Sequence, residues 1–138
     1  MNTGILKRYK MLHKDEIWKL EFGKTSMSIF LNGNKVLEEA VIVARDEKRR
    51  YVAAGNVVLR DEKNYAETST PMIYGSVNDF EGSVYYLKTV FRDRLNRRNR
   101  VQSITVIIPV ELGVLEERAI REALAEISKE VHLEYKLD

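Results

Sequence analysis

The dipeptide Asn32-Gly33 limits what this chain can become more than any other feature. Both residues tolerate positive φ, which a tight two-residue hairpin demands at its centre. The flanking residues agree. Ile17, Trp18 and Leu20 lead into Glu21-Phe22-Gly23, and Met27, Ile29 and Leu31 alternate with smaller or polar residues. Such period-2 alternation marks a half-buried strand. After the turn a third strand is expected from Val36 to Ala44, with Val41, Ile42 and Val43 as its most buried part. Asp46-Glu47-Lys48-Arg49 reads as a solvated turn into a short strand, Tyr51 to Ala54. Three antiparallel strands in a meander therefore open the domain.

Residues 55–78 are less regular, punctuated by Gly55, Pro71 and Gly75, and an excursion with partial helix is expected there. Val84, Leu87, Phe91 and Leu95 then fall on one helical face at spacings of three and four. Asp79 and Glu81 near its start, and Arg92 or Arg94 near its end, complement the helix dipole. The apolar run Ile104 to Val110 predicts a buried central strand. Leu115, Ala119, Ile120, Ala123, Leu124 and Ile127 trace a second amphipathic helix, and Val131 to Tyr135 a final strand. Crossover helices favour parallel pairing of the strands they link. The order β-β-β-(excursion)-α-β-α-β predicts a single α/β domain of the ribonuclease-H-like plan, a mixed sheet with helices packed on it. It spans 17–138, preceded by a basic, partly amphipathic tail at 1–16.

Composition narrows the function classes. The 138 residues suit one domain, and 44% hydrophobic residues suffice for a core. With 23 basic against 21 acidic residues there is no global attraction to nucleic acid, and no specific nucleic-acid partner is expected. The absence of cysteine excludes disulfides and thiolate metal sites, and His13 and His132 alone make a poor histidine site. No stretch approaches the roughly 20 apolar residues needed to cross a bilayer. The N-terminus lacks the apolar region and cleavage site of a secretory signal, so a cytoplasmic address is expected.

Three stretches carry a family resemblance. The first is Glu21-Phe22-Gly23-Lys24 with the following strand, Gly33, and Val36-Leu37-Glu38-Glu39 leading to Val43-Ala44. The second is Asn78-Asp79-Phe80-Glu81. The third is Val106-Ile107-Ile108-Pro109-Val110, followed by Glu116-Glu117-Arg118-Ala119-Ile120-Arg121-Glu122-Ala123 and then Val131-His132-Leu133-Glu134. In this order they resemble the first domain of the bacterial actin-like, shape-determining MreB family, over roughly residues 17–135. The resemblance implies an actin-type ATPase domain, with ATP and magnesium as its cofactors. It implies a phosphate loop at Glu21, Gly23 and Lys24, and at Glu116 the catalytic acid that positions water. It also implies departures. The loop aspartate is Glu21 here, its threonine is Lys24, and the chain stops where the first domain would end, without a second phosphate loop. The ATP site is at most half built.

Each sharp reading has a plainer one beside it. Glu116 is also a first-turn acid that suits a helix N-terminus, Glu21 a strand-end carboxylate and Lys24 a solvated turn lysine. Glu21, Glu81 and Glu116 would form a nuclease-like carboxylate cluster for magnesium only if they converge. Arg92, Arg94, Arg97, Arg98 and Arg100 make a basic run open to phosphates or an acidic partner, or a solvated helix end. Residues 5–12 resemble a short basic-hydrophobic membrane anchor, which would lie weakly at the inner face of the membrane. The expected function is a reduced actin-like domain with a cytoskeletal or scaffold role, partnered by itself or by a full-length actin-like protein and lacking autonomous ATPase activity. The alternatives are an ATP-binding protein completed by oligomerisation and a metal-dependent nuclease.

Overall fold

The computed structural model describes residues 16–137. Residues 5–12 therefore lie outside the described residues, as does the rest of the expected tail apart from Glu16. Strands β1 (Trp18–Phe22), β2 (Ser26–Leu31) and β3 (Asn34–Ala40) form the antiparallel meander. Asn32 and Gly33 turn the β2–β3 hairpin at φ 52° and 84°, the positive values their side chains permit.

The expected third strand does not continue to Ala44. It ends at Ala40, whose N–H donates to the Asn56 side chain at 2.8 Å, and the next N–H, of Val41, donates to the Thr25 carbonyl at 2.9 Å. The Val41 bond is one residue past the last β2–β3 pair, Ser26 with Ala40, and the chain leaves the sheet after it. Strand β4 (Val43–Arg45) then joins a separate sheet with β5 (Tyr51–Ala54) and β6 (Glu67–Ser69), in the order β5-β4-β6. Val41 and Val43 are both buried because the apolar run turns a corner through the core.

The excursion contains α1 (Asn56–Arg60), a 3-10 turn at Glu62–Asn64, β6, and a small hairpin of β7 (Met72–Ile73) and β8 (Ser76–Val77). Helix α2 (Phe80–Asp93) leads to β9 (Val101–Ile108), and α3 (Val114–Leu124) to β10 (Ser128–Tyr135). β9 pairs in parallel with both β1 and β10, giving a five-stranded mixed sheet ordered β10-β9-β1-β2-β3.

One face of this sheet is the core. Leu20, Met27, Ile29, Val106 and Ile108 are fully buried there beneath Leu87 of α2 and Ile120, Ala123 and Leu124 of α3. Burying each such aliphatic side chain contributes about 1.5–3 kcal/mol before conformational entropy is charged against it. The α2 face is broader than the spacing suggests. Tyr86 and Val90 are buried beside Leu87 and Phe91, while Val84 and Leu95 sit at its border. On α3 the expectation for Leu115 fails: it is 79% exposed, because α3 begins beyond the sheet edge and only its second half meets the core.

The opposite face of the sheet is polar. Lys19 pairs with Glu21 at 3.3 Å and lies over the Phe30 ring at 4.7 Å. Ser28 and Lys35 both donate to Glu38, at 3.1 and 2.8 Å.

Candidate functional site

The candidate residues gather around the ends of β1 and β9, and the β7–β8 hairpin decides how. Its tip packs on those ends: a Cβ at Gly75 would lie 3.1 Å from the Phe22 ring and 3.6 Å from Ile108. The Tyr74 N–H donates to the Gly23 carbonyl at 3.2 Å, and the Ser76 hydroxyl donates to Glu116 at 2.8 Å. Gly23 and Glu116, 93 positions apart in the chain (116 − 23), are thus tied to the same hairpin. The sequence signal for this device is the pair Tyr74-Gly75 between two short apolar-polar runs. Sequence reasoning read Gly75 only as punctuation.

Glu21 does not join them. It lies opposite Ser28 of β2 and Ile107 of β9, on the polar side of the sheet, and pairs there with Lys19. Glu116 stands on α3, which covers the other face. Glu81 is exposed on the first turn of α2. Among the described residues no group of three His, Cys, Asp or Glu side chains could hold a metal ion. The carboxylate cluster that a nuclease reading requires is therefore not assembled.

The phosphate turn is equally spare. The Gly23 N–H donates to the Ser26 carbonyl at 2.8 Å, so it is spent inside the turn. Lys24 is exposed and makes no ion pair among the described residues. Cradling a phosphate takes several free backbone N–H groups or a helix N-terminus aimed at the anion. The residues present do not fit ATP and magnesium on their own, and no step can be routed through them.

The neighbouring acids serve structure. Asp79 caps α2, accepting from the Gly82 N–H at 3.0 Å, and it also accepts from Tyr51 at 2.5 Å and Arg45 at 3.1 Å. Burial works against its charge, but these three donors outweigh burial and hold its carboxyl below the ordinary aspartate value. Glu117 accepts from the Tyr135 hydroxyl at 2.8 Å, which with Arg121 keeps its carboxyl below the usual glutamate value. Three of the five arginines in the run are also tied inward. Arg94 approaches the buried Glu39 at 3.4 Å, and Arg97 pairs with Glu16 at 2.6 Å while lying over the Trp18 ring. Arg100 donates to the Ala125 carbonyl at 3.3 Å.

Solved structures share this fold. MreB5 of Spiroplasma citri bound to ADP superposes with a TM-score of 0.72 at 20% identity, over 89% of this chain and 39% of that one. The same protein bound to AMPPNP gives 0.73 at 21% identity, over 87% and 38%. The fold is actin-like. A MamK double helical filament gives 0.66 at 13% identity, over 86% of this chain and 40% of that one. This chain thus spans about two fifths of the length of these actin-like structures. No protein-family model matches the sequence, nor does any curated protein. No helix among the described residues is long and apolar enough to cross a membrane.

Proposed function

We propose that this chain is an actin-like assembly or scaffold domain that acts through protein–protein association in a cytoskeletal setting, without autonomous ATPase activity. The phosphate turn carries the reading. Its single glycine N–H is bonded to Ser26, Glu21 is paired with Lys19 on the far face, and one exposed lysine is left to meet an anion. The partner is another copy or a longer actin-like protein, and the MamK filament supports assembly as the mode of action for this fold. Weak contact of residues 5–12 with the inner face of a membrane belongs to the same proposal. Titration calorimetry with magnesium-ATP, run beside light scattering, tests it. The expected result is no heat at millimolar ATP and a mass that rises with protein concentration; micromolar ATP binding by a monomer would overturn it.

A second reading has one observation in its favour. Glu116 is exposed at the open end of α3, tied to the hairpin that also holds Gly23, where a second chain could complete a nucleotide site. The nucleotide-bound MreB5 structures lend it weight. It expects ATP-dependent growth of the assembly that Glu116→Ala or Glu21→Ala reduces. Assembly indifferent to ATP would remove it.

A further inference from the structure

The tip of the β2–β3 hairpin carries reactive chemistry that the fold leaves open. An asparagine amide carbon is attacked by the backbone nitrogen of the next residue when no side chain shields that nitrogen. Asn32 is the one asparagine of the chain followed by glycine. Both residues are exposed, and a Cβ at Gly33 would have nothing within 4 Å. The Gly33 N–H makes no hydrogen bond among the described residues.

The amide itself is held at its oxygen. Asn32 Oδ1 accepts from the Ile17 N–H at 2.8 Å, and the Asn32 N–H donates to the Ile17 carbonyl at 2.8 Å. When a nucleophile adds to the amide carbon, negative charge develops on this oxygen, so the Ile17 N–H sits where an oxyanion donor acts. The nitrogen that must depart, Nδ2, has no partner among the described residues. Asn56 shows the contrast: its side chain is spent on the Ala40 N–H, the Glu38 carbonyl and the Glu39 carboxylate.

We infer that Asn32 is a self-modifying site of the folded domain, which deamidates with the Gly33 nitrogen as nucleophile, the Ile17 N–H as oxyanion donor and water as co-reactant. The Gly33 nitrogen gives its proton to solvent and bonds to Asn32 Cγ. The Cγ–Nδ2 bond breaks, and the amide nitrogen takes a proton from solvent and leaves as ammonia. The succinimide then takes up one water. Addition at Cγ restores the main chain with an aspartate. Addition at the backbone carbonyl carbon leaves Gly33 joined through Cγ, an isoaspartyl link with one more main-chain atom.

The two products differ in the fold. Aspartate keeps the two-residue turn and an acceptor for Ile17. The isoaspartyl link lengthens that turn, which sets the register placing Leu37 and Glu39 opposite Ile29 and Met27. β3 is an edge strand and pairs with β2 alone, so β3 is the strand that loosens.

The test ages the full chain, folded by circular dichroism, at mildly alkaline pH in heavy-oxygen water, followed by tryptic digestion in ordinary water. Cleavage after Lys24 and Lys35 yields peptide 25–35, which holds Asn32 and Asn34 together, so fragmentation scores both. Label should enter at Asn32 at least about tenfold faster than at Asn34; a smaller ratio overturns the site. A chain that reacted only when globally unfolded would be slowed on the order of a thousandfold or more. The folded rate should therefore lie within about a hundredfold of the rate in denaturant, and a slower one overturns reaction in the folded state. Ile17→Pro, at an exposed position just before β1, removes the donor alone and should slow labelling about tenfold. An unchanged rate in that folded variant overturns the role given to Ile17. In the isoaspartyl fraction the β3 amides should exchange hydrogen at least about tenfold faster than in the fresh chain, and equal exchange overturns the loosening.

Discussion

Replacing Gly55 by alanine should cost far more than the same change at Gly33, although the two residues share φ values of 85° and 84°. At Gly55, ψ is −156°, a region open essentially to glycine, where any other residue costs about 1–3 kcal/mol. A Cβ there would also sit 2.3 Å from a carboxylate oxygen of Glu39. That carboxylate is 3% exposed and accepts from the Asn56 N–H at 3.1 Å and its side-chain amide at 2.7 Å, while Arg94 approaches at 3.4 Å. Displacing it weakens hydrogen bonds to a buried charge, worth about 1.5–3 kcal/mol. The total is about 3–5 kcal/mol, a large share of the 5–15 kcal/mol typical of a domain. Gly33 has nothing within 4 Å of the new atom, so only the backbone penalty of about 1–2 kcal/mol remains. Urea unfolding followed by circular dichroism measures both. With a slope of about 1.5 kcal/mol/M, the midpoint should fall by about 2–3 M for Gly55→Ala and by about 1 M for Gly33→Ala. Equal losses, within about 0.5 kcal/mol, would refute the role given to Glu39.

Asp79→Ala removes the α2 cap and the carboxylate that Arg45 and Tyr51 share, leaving Arg45 only the Tyr51 hydroxyl, so unfolding experiments should register a loss of about 2 kcal/mol. Because the folded Asp79 carboxyl titrates below its unfolded value of about 3.9, its contribution is complete above that pH. It is lost as pH falls through the folded value; acid titrations should show this loss in wild type and not in Asp79→Ala. Leu124→Ala should cost about 2–5 kcal/mol because Leu124 is fully buried, whereas Leu115→Ala, measured at low concentration, should stay within about 0.5 kcal/mol.

Much of the fold was legible because local chemistry and tertiary role agree. Asn32-Gly33 needs positive φ whatever surrounds it, and the meander followed from that turn. The helix-linked strands had to pair in parallel for reasons of connectivity. Legibility fails where one local pattern suits two placements. Val41-Ile42-Val43 is apolar whether it lies along a sheet or turns a corner between two. Leu115 has the correct helical spacing for the core, but α3 begins outside it, and spacing carries no information about where a helix meets its sheet. At the candidate site, Gly23 and Glu116 could be named in advance, yet their link runs through backbone and hydroxyl groups of a hairpin too short to have a periodicity. The polar side of Glu21 could be read from the alternation of Trp18, Leu20 and Phe22 with Lys19, but its ion pair with Lys19 could not.

The sheet order has a consequence for synthesis on the ribosome. β1 is made early and finds β2 and β3 at once, but its other edge waits for β9. Trp18 pairs with Ile104, 86 positions later (104 − 18). At about 5–20 residues per second that edge stays open for roughly 4–17 s. A nascent meander with an unpaired flank is a template for stray strands. Its outer face, with Lys19 paired to Glu21 and Lys35 to Glu38, then has a use before the domain is complete, since stacking adjacent nascent chains there would strip water from ion pairs while the last partner strand is still being made.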